Sequence, residues 1–119
     1  GATDRIIKRV ISKGYKISSL REAVQAAAKV LTQAKVGVYR ADGRIEGVRV
    51  TDIRPGSMYE RMGIQSGDII KRVDGYRIKS IGDIFGVYRR LRKQSLINVE
   101  IERGGKMVAL VYEIKAGRK

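Results

Sequence analysis

The chain has 119 residues, 43% of them apolar, which is enough for one hydrophobic core and too few for two. Twenty-six Lys and Arg against 12 Asp and Glu leave a formal charge of +14, an excess that a nucleic-acid or anionic-membrane surface would also show. The lack of cysteine removes disulfides, thiolate nucleophiles and cysteine zinc sites, and the lack of histidine removes Ser-His-Asp and Cys-His catalysis and imidazole metal ligands. No apolar run approaches the roughly 18 residues of a membrane span, and no signal-peptide pattern opens the chain. The leading "GATD" resembles a cloning scar joined to an internal start, so the chain is expected to be a piece of a longer protein.

Residues 4 to 17, "DRIIKRVISKGYKI", place Ile6, Ile7, Val10 and Ile11 on one helical face before Gly14 interrupts, which predicts a short amphipathic helix or an irregular lead-in. "SSLREAVQAAAKVLTQAK" follows with Ser18 or Ser19 as N-cap, Glu22 as capping-box acid and Leu20, Val24, Ala27, Ala28 and Leu31 on one stripe, a long helix. "KVGVYRADGRIEGVRVTDI" alternates on both sides of "ADG" and predicts a hairpin of strands near 35–40 and 44–53. In "RPGSMYERMG", Pro55 fixes one φ, Gly56 turns, Ser57 caps a single helical turn and Gly63 ends it. "SGDIIKRVDGYRI" reads as a strand, a tight Asp74-Gly75 turn and a short return strand.

From Ser80, "SIGDIFGVYRRLRKQ" repeats apolar residues at Ile81, Ile84, Phe85, Val87, Tyr88 and Leu91, a second long helix with Asp83 as its capping-box acid and a basic last turn. "LINVEIERGGKMVALVYEI" closes the pattern as a hairpin around Gly104-Gly105, and "KAGRK" reads as a frayed basic tail.

Candidates for chemistry are few. Glu100 and Glu102 share one face of a strand with no second group of another type beside them, which is a solvated face. Turn chemistry accounts for Asp68 and Asp74, and Ser57, Ser66 and Ser80 fall at caps or turns. "GIQSGDIIKRVDG" lacks both the Gly-Lys-Ser/Thr ending of a phosphate loop and the three-glycine dinucleotide fingerprint. Residues 71 to 93 hold eight basic side chains against Asp74 and Asp83, and Arg72, Arg89, Arg90, Arg92 and Lys93 form the alternative basic patch for nucleic acid or anionic lipid. One Phe, no Trp and six scattered tyrosines give no stacking platform for bases, and no zinc-finger or RRM signature is present.

Residues 47 to about 106, from "GVRVTDIRPGSMYERMGIQSGDIIKRVDGYRI" through the helix to the Arg-Gly-Gly-Lys turn, resemble a bacterial-type PDZ domain in spacing and residue type. A wider resemblance, carried by "LTQAK", "YRADGRIEGVRV", "IRPGSMYERMGIQSGDII" and "RVDG", is to the periplasmic PDZ region of the type II secretion system protein C family. That resemblance implies a non-enzymatic module, without cofactor or metal, of an inner-membrane-anchored component that couples the inner-membrane platform to the outer-membrane secretin or recognises exported proteins. The charge is higher than this family leads one to expect.

PDZ domains bind by strand addition, in which an extended segment pairs with a strand edge and alternate side chains enter pockets. Carried over by position, the receiving strand is Gly47 to Ile53, with Gly47, Val48, Arg49 and Val50 at its start, and the groove helix offers Ile84, Tyr88 and Leu91, the last also suited to the core. Eukaryotic PDZ domains hold a terminal carboxylate in a glycine-rich loop before the receiving strand. Here "ADGRIEGV" occupies that place as a tight hairpin, where Arg44 and Arg49 offer charge, so an internal strand or a folded partner fits at least as well as a C terminus.

The expectation is therefore an α+β, PDZ-like partial barrel of antiparallel sheet with two helices: a helical extension over 1–34, the PDZ domain over 35–115 and a basic tail over 116–119. Its partner is an exported protein or secretion-machine component, membrane contact coming only through a segment outside this chain. The alternatives are the substrate-gating PDZ module of a periplasmic or membrane protease, and a basic domain binding nucleic acid or lipid.

Overall fold

The computed structural model describes residues 3–13, 28–29, 31–91 and 93–116, the side chains of 10–13, 88 and 114–116 excepted. Strands β1 (Arg5–Lys13), β2 (Lys35–Ala41), β3 (Arg44–Thr51), β4 (Ile69–Val73), β5 (Tyr76–Arg77), β6 (Leu96–Arg103) and β7 (Lys106–Ala116) form one sheet. Its order is β1-β7-β6-β4-β3-β2, with β5 paired to β4. A one-turn helix α1 (Met58–Arg61) lies between β3 and β4, and helix α2 (Ile81–Leu91) between β5 and β6.

Three hairpin turns are as the turn residues dictate. Asp42-Gly43, Asp74-Gly75 and Gly104-Gly105 all have positive φ at both central positions, the geometry whose twist matches that of the strands it joins. Both helix starts are capped twice over. The Ser57 and Ser80 hydroxyls accept from the amides of Glu60 and Asp83, while the Glu60 and Asp83 carboxylates reach back to the amides of Gly56 and Lys79. The return bond lands one residue before the cap in each case.

The core is one cluster. Val48 and Val50 of β3, Ile101 of β6 and Leu110 of β7 have no exposed surface, and Ile78, Tyr59, Ile64, Val87 and Leu91 close over them from the loops and helices. Leu91, at 4% exposure, is core rather than groove wall.

Residues 5–13 are not helical. They form β1, parallel to β7 from the Arg5/Val108 pair to the Lys13/Ala116 pair. Without β1 the outer edge of the 11-residue β7 would have no ladder partner, and a segment built on Ile6, Ile7, Val10 and Ile11 is β-branched enough to supply one. Ile7 packs on the core while Ile6 is 62% exposed, the alternation of a strand rather than the shared face of a helix. The predicted long helix lies mostly outside the described residues; 28–29 and 31–32 are helical.

Candidate partner-binding groove

The geometry of the sheet decides which strand can receive another. β3 is hydrogen-bonded on both sides, to β2 from Lys35/Thr51 to Ala41/Arg44, and to β4 at Val48/Ile70 and Arg49/Ile69. Gly47 is needed for the second contact, because a Cβ there would meet the Ile70 carbonyl oxygen at 2.5 Å and Ile69 Cγ2 at 2.8 Å. The expectation that Gly47 to Ile53 receives a partner strand is thus overturned. Both of its edges are already taken, Val48 and Val50 are core, and Ile53 lies beyond the end of the strand.

The edge strand on this side is β2, with which no described strand pairs on its outer side. The alternation of the ladder shows which of its groups are free. Val50 spends both main-chain groups toward β4, its amide donating to the Asp68 carbonyl (2.9 Å) and its carbonyl accepting from the Gly67 amide (2.7 Å). Arg49 and Thr51 therefore point theirs at β2, and the residues of β2 opposite Val48 and Val50 are the non-bonded partners. Those residues are Val38 and Val36, whose amides and carbonyls face outward.

Side chains at this edge suit an added strand. Val36 is half-buried against the core, and so is Ile84 of α2. Val38, two residues on and on the same face, is 50% exposed. An apolar side chain left uncovered on the core side of a sheet edge is where a further layer would seal. The Tyr88 side chain is outside the described residues.

The expected anion contacts do not converge. Arg44 sits at the β2–β3 turn and Arg49 five residues further along the strand, opposite Gly37, so the two are not adjacent in the ladder. The basic patch is likewise divided. Arg72 pairs across to Arg77 and Glu100, and these share the outer face of the sheet with Glu46. Arg90 lies on the other side, its guanidinium 5.3 Å from the Tyr76 ring centre, and Arg89 and Lys93 are exposed near it in sequence; Arg92 is outside the described residues. Glu102 and Glu46 flank Lys71 at 3.5 and 4.0 Å, so one lysine partly offsets these strand carboxylates on a half-exposed face. Among the described residues no acidic cluster is grouped to hold a metal ion.

One buried network was not anticipated. The Asp68 carboxylate, 1% exposed, accepts from Arg103 Nε (2.9 Å) and Nη2 (2.8 Å) and from the Gln65 amide (2.8 Å). Arg103 also donates to the Gly63 carbonyl (2.9 Å), Tyr112 Oη to the Met62 carbonyl (2.7 Å) and Arg9 to the Arg61 carbonyl (3.2 Å). The carbonyls at the end of α1 are thereby satisfied by two cations and a phenol. The bond to Asp68 raises the Arg103 pKa, and burial pushes that of Tyr112 far above the ordinary tyrosine range. Turn chemistry alone explained Asp68; the pairing to a residue 35 positions later carried no local signal.

The edge strand, the capped helix α2 and the hairpins are the parts of a known domain type, and a PDZ domain family model matches residues 4–114. The chain belongs to the PDZ domain family. The match begins before β1 and reaches into β7. Solved structures agree on the PDZ fold: the PDZ domain of EpsC from Vibrio cholerae superposes with a TM-score of 0.52 at 17% identity, covering 79% of this chain and 90% of that one. The HtrA-type protease AlgW, solved with a decapeptide, gives 0.52 and 17% over 79% of this chain and 34% of its own. No curated protein sequence matches the chain. PDZ domains are binding modules for protein ligands and carry no catalytic apparatus.

Proposed function

We propose that this PDZ domain binds an extended partner segment along the outer edge of β2, with α2 forming the opposite wall of the groove. The observation that carries this reading is the outward-facing main chain of Val36 and Val38 beside an uncovered apolar face. Main-chain bonds to that edge supply affinity, and side chains entering beside Val36, Val38 and Ile84 supply selectivity.

The wider role we infer is that of a periplasmic module in an inner-membrane-anchored type II secretion component, engaging exported protein or secretin. The sequence resemblance of "YRADGRIEGVRV" and "IRPGSMYERMGIQSGDII" supports it, as does the fold shared with the EpsC domain. The test is binding of the immobilised domain to purified exported proteins and to the periplasmic part of a secretin, with a Val38→Pro variant as control. Binding that the proline variant loses supports this role; binding of neither class, or binding indifferent to the edge, contradicts it.

A further inference from the structure

The outer side of the same edge carries information about the partner that its core side does not. An added strand sends alternate side chains to the two faces of the sheet. On the core side they meet Val36 and Val38; on the outer side they pass Lys35 and Gly37. Gly37 is exposed, and a Cβ there would have nothing within 4 Å, so the surface dips at this point. The dip, about 280 Å³ and open to solvent, is bounded by Lys35, Val36, Gly37, Val38, Arg49 and Thr51.

Arg49 stands directly opposite Gly37 in the ladder and on the same face. It is exposed, and its side chain forms no ion pair with any described residue. Lys35, two residues from Gly37 on that face, is 3.2 Å from Asp52, an exposed pair that exchanges readily for another carboxylate. An added strand would lie two strand spacings from β3, about 9.6 Å. Arginine and glutamate side chains span that distance together only if nothing stands between them, and residue 37 has no side chain to intervene.

Resting on the strand-addition reading above, we infer that the groove selects an extended segment with a carboxylate side chain, Glu or Asp, at the outward position beside Gly37. Arg49 is the recognising cation and Lys35 its second. The guanidinium fork matches a carboxylate in shape as well as charge. The overall charge of +14 favours the same class of partner at encounter, though it selects no position.

The test uses a soluble host peptide with both termini blocked, in which one Glu is moved along the sequence and compared with Gln and Lys at each place. Affinity is read by fluorescence anisotropy and edge engagement by the Val36 and Val38 amide shifts. The expected result is that Glu at one set of alternate positions binds about three- to fivefold more tightly than Gln. Lys there binds more weakly, and the Glu/Gln ratio falls toward one in Arg49→Gln. Equal binding of Glu and Gln with Val36 and Val38 still shifting overturns the acid selectivity and leaves strand addition standing. A preference equal at all positions and unmoved by Arg49→Gln also overturns it, since that is attraction to net charge. Silence at both edge amides for every peptide removes the groove reading and this inference together.

Discussion

Asp68 shows how much one residue can hold in place. Its carboxylate joins the loop before β4 to Arg103 at the end of β6, and through Arg103 to the end of α1. Asp68→Asn leaves a mostly buried guanidinium without its counter-charge, a loss of about 3 kcal/mol by denaturant unfolding. Replacing both partners with apolar residues of similar volume costs less than that single change. Tyr112 makes a different prediction. Its phenol has a higher pKa folded than unfolded because burial disfavours the anion, so the unfolded chain releases the proton first. The stabilisation is intact below the unfolded value of about 10 and is withdrawn as pH rises through the folded one. Tyr112→Phe loses about 1 kcal/mol at neutral pH, through the unpaired Met62 carbonyl, and unfolds less steeply with pH above about 10. Tyr59, whose pKa burial also raises, keeps part of the slope in that variant.

Elements differ in how legible they were. The three hairpins and both caps could be read from Asp-Gly, Gly-Gly and Ser-x-x-acid patterns because each is settled within four residues. β1 could not, since the same four apolar residues serve a helical stripe or a strand, and only β7, about a hundred residues later, decides between them. The receiving strand was misplaced for a related reason: alternation in 35–53 reveals two strands but not which of them ends the sheet. That is fixed by β4 pairing to β3 through the close approach at Gly47. Val38→Pro follows from the corrected placement. Its amide faces away from β3, so proline removes no ladder bond and lowers the thermal midpoint little, while it abolishes peptide-induced shifts along β2.

At the scale of the whole molecule, the charge is the feature that the PDZ fold does not require. Twenty-six cations on 119 residues repel one another, while the exposed or half-exposed pairs of Lys35 and Lys71 and the Arg103 pair offset part of that repulsion. Raising ionic strength from about 0.01 to about 0.15 M shortens the screening length from about 30 to about 8 Å, so the thermal midpoint rises with salt. A fall would mean that the exposed pairs outweigh the repulsion. Nucleic acid or lipid would have to read a basic surface split between the two faces of the sheet, with Arg72 among Glu46 and Glu100 on one and Arg90 over Tyr76 on the other. The measurement that most directly tests the groove is an amide-shift titration of the labelled domain with extended peptides, each in free-carboxylate and amidated form. Shifts centred on Val36 and Val38 and continuing into α2, with Val48 and Val50 following only weakly, are the predicted result. Shifts centred on β3 or confined to Arg89, Arg90 and Lys93 would contradict it.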